Sequence, residues 1–142
     1  MTKFISVCVF LRNFLLLLLC AVLVTGCSVE EDDEKKLRDI DFTVVPEEHV
    51  PDELQSIIED KKQEPFLVSY GDKENLYIAV GYGKQATGGY SIQVEELYET
   101  PNAIWIDTEF IGPSKTEDVS QRVSYPYIVV QMEYTDKQVR QD

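Results

Sequence analysis

Near its start the chain has a continuous run of apolar residues, with polar residues on both sides of it. Residues Phe14 to Val24 are uninterrupted hydrophobic side chains, preceded by Lys3 and Arg12. A transmembrane helix needs about 20 apolar residues, so this run is too short to span a bilayer comfortably. Its length and its positive flank are typical of a signal peptide. We therefore predict that residues 1–26 are an export signal.

Further along, one segment has the spacing of a helix. Leu54, Ile57 and Ile58 repeat at i, i+3 and i+4, which places them on one helical face. Pro51 precedes two acidic residues, as at many helix starts, where acids interact favourably with the helix dipole. We expect one short amphipathic helix over residues 51–62.

Alternating apolar and polar residues dominate the rest of the chain. This period of two predicts strands at 42–45, 66–70, 76–82, 90–94, 104–110 and 128–134. The alternation slips at Leu97, which indicates a bulge or a strand end, and Pro126 indicates an edge position or a bulge. The predicted fold is mainly β: an antiparallel β-sandwich or partly open barrel with one short N-terminal helix, in a single domain over 42–142.

The end of the apolar run changes what the export signal implies. Val24-Thr25-Gly26-Cys27 resembles the lipobox of bacterial lipoproteins, in which small residues precede the cysteine that is acylated and becomes the first mature residue. Removal of residues 1–26 would leave Cys27 as the only cysteine, too few for a disulfide framework. We predict lipidation at Cys27 and anchoring on the extracytoplasmic face of the cell membrane; the alternative is an uncleaved membrane anchor.

An acidic stretch follows the predicted lipid. Glu30 to Glu34 are five consecutive acidic residues, which repel one another and have little to bury. We interpret residues 27–41 as a solvated tether. Flexible carboxylates lack the preorganised geometry of a metal site, so we expect neither a metal nor a cofactor there.

Net charge narrows the possible partners. The chain carries −13 at pH 7, and loss of Lys3 and Arg12 with the signal would make it −15. Nucleic-acid-binding domains present clustered Lys and Arg, so this balance excludes nucleic acid as an expected partner. It also disfavours a polybasic contact with anionic lipid.

A glycine-rich segment lies between two predicted strands. Residues 81–90 contain four glycines, and Gly-Lys is followed by a strand rather than by the helix of a phosphate-binding loop. The segment is either a simple hairpin turn or a shaped binding loop.

Several of these residues resemble a known family. Thr87-Gly88-Gly89-Tyr90-Ser91-Ile92, Gly112-Pro113 and Ser124-Tyr125-Pro126-Tyr127 are similar to the C-terminal domain of the PrcB family, over about residues 66–134. The family is named for a lipoprotein subunit of a bacterial surface protease complex. Ala86 stands where a proline is usual. The resemblance implies a non-catalytic accessory module that binds a protease or another surface protein. The residues expected to bind the partner are Thr87, Gly88, Gly89, Tyr90, Tyr125, Pro126 and Tyr127.

A second resemblance leads to an alternative function. Thr87 to Tyr90 is also similar to the Asn-Pro-Thr-Thr-Gly-Tyr loop of chagasin-type cysteine-protease inhibitors, which are immunoglobulin-like sandwiches. Tyr125-Pro126-Tyr127 would stand for their later Arg-Pro-Trp/Phe loop, although Arg122 is not adjacent to Pro126. This resemblance implies an inhibitor that inserts the Gly83–Tyr90 loop into a protease cleft.

The residues offer little for catalysis. His49 is the single histidine and has no evident nucleophile as its partner, and no G-x-S-x-G motif is present. Asp107 and Glu109 share a predicted strand face with Trp105, an arrangement that suits a carboxylate pair, an interface or simply a solvated surface. We therefore predict that the protein is not an enzyme.

Overall fold

A computed structural model of the protein describes residues 35–142. The predicted signal peptide, Cys27 and the tether as far as residue 34 lie outside the described residues. In the described part, two four-stranded sheets pack face to face and one helix covers the outer face of the second sheet. The prediction of a mainly β sandwich is confirmed.

The elements follow one another along the chain in a simple order. The strands are β1 (Arg38–Asp39), β2 (Thr43–Val44), β3 (Pro65–Gly71), β4 (Asn75–Tyr82), β5 (Ser91–Glu99), β6 (Ala103–Ile111), β7 (Tyr127–Glu133) and β8 (Gln138–Gln141). A single 3₁₀ turn, Glu47–His49, precedes the helix α1 (Asp52–Lys61) among the described residues. The helix predicted over 51–62 is thus confirmed to within one residue at each end. No helix among residues 35–142 has the length and apolar character needed to cross a membrane.

Each of the two sheets has a short strand at one edge. The first sheet has the order β1-β5-β6-β8 and the second has β2-β7-β4-β3. All pairs are antiparallel except β6 with β8. Since β1 and β2 contain only two residues each, they cover a small part of the outer edges of β5 and β7.

The main core lies between the sheets and follows from the alternation of the strands. Ile78 and Val80 of β4 face Ile104 and Ile106 of β6, and all four side chains are at most 1% exposed. The register shift between Val94 and Glu96 in β5 is a β-bulge, which confirms the bulge indicated by the slip in alternation and lets the strand continue to Glu99.

A second cluster fills the space beneath the helix. Leu54 and Ile58 are fully buried against Ala79 and Val129 on the outer face of the second sheet. This helical layer explains why β4 is buried on both faces rather than on one. Fully burying such side chains stabilises a fold by about 1.5–3 kcal/mol each.

The fold begins earlier than the sequence predicted. The tether was expected to extend to Asp41, but β1 pairs Arg38 with Glu99, and Ile40 is only 8% exposed. Cations at Lys36 and Arg38 make ion pairs with the acidic strand beside them, so a segment that is polar in sequence becomes part of the sheet. The strand expected from Phe42 begins at Thr43, and the side chain of Phe42 is 37% exposed.

The last strand was not expected at all. β8 reads Gln-Val-Arg-Gln, and only Val139 packs on the core. One apolar residue in a polar segment produces no detectable alternation, and its pairing with β6 is long-range.

Candidate interaction site at the loop end

Two segments cross between the sheets at the same end of the sandwich. Residues 83–90, here called the glycine loop, join β4 to β5, and residues 112–126, here called the long loop, join β6 to β7. We call this the loop end. The chain enters the described domain at the opposite end, where the backbone N–H of Leu37 donates to the carbonyl of Glu99, the last residue of β5.

The two loops are hydrogen-bonded to each other. Gln85 and Ser124 exchange backbone N–H···O bonds of 2.8 and 3.0 Å, and the N–H of Gly88 donates to the carbonyl of Ser120 at 2.8 Å. The hydroxyl of Ser124 also donates to the carbonyl of Thr87 at 2.6 Å. Loops tied together in this way present a defined surface rather than two independent turns.

Two glycines set the path of the glycine loop. Gly83 and Gly89 have φ of +72° and +85°, a region that other L-residues rarely adopt. At Gly89 a Cβ atom would also lie 2.4 Å from Cγ1 of Val119 in the long loop. Gly88 has ordinary backbone geometry, and a Cβ there would meet Ser120 at 3.4 Å. The glycine loop is therefore shaped by Gly89 much more than by Gly88.

Tyr90 belongs to an aromatic stack. Its ring lies 5.1 Å from that of Phe110, which in turn stacks on Tyr82 at 4.3 Å. The hydroxyl of Tyr82 lies 2.7 Å from Oγ1 of Thr108, so the stack joins the two sheets. Tyr90 therefore closes the sandwich at the loop end.

The Tyr125-Pro126-Tyr127 segment points its side chains in different directions. Nζ of Lys62 lies 5.0 Å from the ring centre of Tyr125, which is half-buried against the end of α1. The carbonyl of Pro126 accepts the N–H of Tyr82, so the proline sits at the start of the β7 ladder. Tyr127 packs with the cluster beneath the helix.

The phenol of Tyr127 packs within the fold. Burial raises the pKa of its phenol, and the amide of Gln55 partly offsets this. The buried oxygens of the two side chains, Oε1 of Gln55 and the hydroxyl of Tyr127, nevertheless fall short of a hydrogen bond. An unpaired buried hydroxyl lowers stability.

The accessible surface of the loop end consists mainly of small side chains. Ala86 and Gly89 are exposed, Thr87 and Gly88 are half-buried, and Val123 is 46% exposed. Ala86 and Val123 each adjoin the bridged pair Gln85 and Ser124. The sequence reasoning missed Val123; an apolar residue within the polar long loop was the signal that could have found it.

The residues considered for catalysis are not brought together. Asp107 and Glu109 lie with Trp105 on the outer face of the first sheet, as predicted, whereas His49 is exposed in the 3₁₀ turn beside α1. Within residues 35–142, no group of three or more His, Cys, Asp or Glu side chains is arranged to hold a metal ion.

Trp105 itself is part of a row that crosses the first sheet. Its ring is parallel to that of Tyr98 at 6.5 Å, with Arg140 5.8 Å from the indole and Lys36 5.2 Å from the phenol. Cation–π contacts of this kind stabilise by about 0.5–1 kcal/mol at exposed sites. The row ties β8 and the segment just before β1 to the centre of the sheet.

Comparison with known proteins bears on the same region. The family model described as PrcB C-terminal matches residues 76–133. The match spans β4 to β7 and includes both loops. No match was found among curated proteins, and none among solved structures. The resemblance inferred from the sequence is thereby confirmed over residues 76–133, which match the PrcB C-terminal family.

Proposed function

We propose that the protein is a lipid-anchored, non-catalytic interaction module that acts as an accessory subunit of a cell-surface protease or a similar complex. Its contact surface would be the loop end, with the glycine loop and the long loop forming one unit. The observation that carries the proposal is the reciprocal bridge between Gln85 and Ser124, which joins the two segments that carry the family resemblance.

The direction of the chain supports this arrangement. The described domain is entered near Glu99, at the end opposite to the two loops. The nine residues after Cys27 would reach at most about 30 Å when fully extended. A lipid on Cys27 would therefore hold the domain close to the membrane by one end and leave the loop end free for a partner.

The negative net charge of the chain favours one class of partner. With a net charge of −13 before processing, the protein would associate fastest with a partner that presents basic residues. Exposed Val123 and Ala86 would supply the apolar contact at the loop end, where residues 83–90 and 112–126 carry three cations and two acids.

The direct test is recovery of the partner from native cells by crosslinking. Wild type should recover a surface protease, and Val123→Asp should lose it while its thermal unfolding stays unchanged. Leu37→Asp is the matched control, since Leu37 is also exposed (57%) but lies at the opposite end. Recovery of the same proteins by Val123→Asp would contradict the proposed contact surface.

Anchoring has a separate test. Wild type should take up a clickable fatty acid and remain in the membrane fraction, whereas Cys27→Ala should do neither. Labelling that persists in Cys27→Ala would place the lipid elsewhere, and membrane retention of Cys27→Ala without labelling would show that residues 1–26 are retained.

A second candidate is inhibition of a papain-type protease. The observation that favours it is that Thr87–Tyr90 and Tyr125–Tyr127 lie at one end and are linked through Ser124. The inward packing of Tyr90 and Tyr127 leaves less side chain for insertion into a cleft. Titration of papain with the protein separates the two functions, because only an inhibitor abolishes its activity at stoichiometric concentration.

A further inference from the structure

The outer edge of β5 is uncovered along most of its length. Among the described residues, β1 pairs only with Tyr98 and Glu99, and the N–H of Ile40 donates to the carbonyl of Leu97. From Ser91 to Glu96 the strand is paired with β6 on one side and with no described strand on the other. A row of unpaired backbone N–H and C=O groups is a template for another strand.

In the second sheet, the edge of β7 is also unpaired at this end of the sandwich. β2 pairs with β7 at Gln131 and Val130, and the N–H of Val45 donates to the carbonyl of Val129, so the edge beside Tyr127 and Ile128 has no strand partner in the described part of the chain. A groove lined by Val44, Tyr125, Pro126 and Ile128 runs along it. Val94 and Ile128, which are half-buried, lie on the inner faces of the two sheets.

The chain itself shows what this edge accepts. Where β1 lies beside β5, Nζ of Lys36 is 3.3 Å from the carboxylate of Glu96, and Nε of Arg38 is 2.6 Å from that of Glu99. Ile40 turns inward to the core. The segment of residues 36–39 thus lies with its two cations towards the glutamates, and the chain leaves the first sheet where the open edge begins.

We propose that the Ser91–Glu96 edge of β5 binds an extended basic segment of a partner protein by β-strand addition. Its backbone would continue the ladder that β1 begins, its cations would face Glu95 and Glu96, and its apolar side chains would cover Val94. The acidic residues Glu30–Glu34 of this chain are repelled by the same glutamates, so charge favours a partner over the tether as the occupant. This inference deepens the proposed function, because it names the chemistry of the partner segment.

The first experiment uses a blocked Lys-Val-Lys-Val-Lys-Val peptide and the full-length protein purified in detergent. Hydrogen exchange should show new protection of amides in residues 91–96, and a Glu-Val peptide of the same length should give none. Glu95→Lys/Glu96→Lys should weaken binding of the lysine peptide about three- to tenfold. Glu74→Lys/Asp136→Lys, an equal charge change at exposed positions at the other end, should retain more of the affinity.

A second pair of probes separates strand addition from simple charge attraction. The lysine peptide is N-methylated either on every lysine or on every valine. Alternate N–H groups of a strand face opposite sides, so only one of the two probes should bind if a ladder forms. Equal binding of both probes, or protection outside residues 91–96, would overturn the proposal.

These experiments distinguish failure of the proposed β5 contact from failure of the proposed function. Loss of the cellular partner in Val123→Asp together with full recovery in Glu95→Lys/Glu96→Lys would sustain the loop end and reject the β5 edge as the contact for that partner. Specific binding of the one N-methylated probe, with no protease recovered from cells, would sustain the edge and reject the protease-complex assignment.

Discussion

Gly89 lies so close to Val119 that a single added carbon would collide with it, at 2.4 Å from Cγ1. The same residue has φ of +85°, so a side chain there would be strained as well as crowded. Because Val119 belongs to the long loop, this contact sets how the two loops of the candidate site fit together.

Substitution of the two adjacent glycines should therefore have unequal effects. Gly89→Ala should lower the free energy of unfolding by about 1–3 kcal/mol, from backbone strain and overpacking. Gly88→Ala is the matched control and should change it by about 0.5 kcal/mol or less, since its Cβ would make an ordinary contact with Ser120. Urea unfolding followed by circular dichroism measures both; equal losses would mean that Gly89 does not set the loop geometry.

The stack of Tyr82, Phe110 and Tyr90 should behave as a coupled unit. In a double-mutant cycle of Tyr90→Leu and Phe110→Leu, we expect a coupling energy of about 0.5–1.5 kcal/mol, because offset stacked rings attract beyond their buried area. Tyr90→Leu combined with Trp105→Leu is the control, since Trp105 lies on the outer face of the sheet. Those two changes should be additive to within about 0.5 kcal/mol. Additivity in both cycles would show that Tyr90 does not stabilise the sandwich through Phe110.

The sequence predicted the strands whose apolar side chains fill the inter-sheet core and missed those that are paired through charge. β4, β6 and β7 alternate strongly because their side chains fill the inter-sheet core. β1 and β8 each contribute one short polar stretch, so Arg38 and Arg140 join the sheet through Glu99 and Trp105, which are distant in sequence. Such pairings depend on the finished fold and leave no local period.

The same limit applies to the candidate site. The glycine loop was evident from its composition, and the bulge in β5 from the slip in alternation. The direction of the tyrosine side chains was not, because Tyr90 and Tyr127 are held by Phe110 and by the helix, respectively. Where a tyrosine packs depends on these distant neighbours, and its position in the sequence does not contain that information.

Tyr127→Phe tests the structural role of one predicted site residue. Its hydroxyl is buried without a hydrogen bond, so removing it should leave stability unchanged or raise it by about 1 kcal/mol or less. Recovery of the partner from cells should be unaffected, because the side chain packs beneath α1. Tyr125→Phe is the comparison, since the hydroxyl of Tyr125 accepts a hydrogen bond from Gln63. A loss of partner in Tyr127→Phe with normal stability would restore Tyr127 as a contact residue.

Glu99 should make stability depend on pH in the acid range. Its carboxylate accepts hydrogen bonds from Nζ of Lys137 at 2.7 Å and from Nε of Arg38 at 2.6 Å, and its side chain is only 17% exposed. Lys137 first, and then Arg38, hold the pKa of Glu99 below its ordinary value of 4.5.

A carboxyl group whose pKa is lower in the folded state binds protons more readily when unfolded. Its contribution to stability is therefore complete above about pH 5 and is lost as the pH falls through the folded-state pKa, below 4.5. Glu99→Gln should be less stable than wild type at neutral pH, and the two melting temperatures should converge in strong acid. Lys137→Met removes the larger cause of the shift and should reduce the same difference. Glu133→Gln, at an exposed residue on β7, should change stability by about 0.5 kcal/mol or less. A constant gap between wild type and Glu99→Gln from pH 7 to pH 2 would show that its ion pairs do not produce the acid sensitivity.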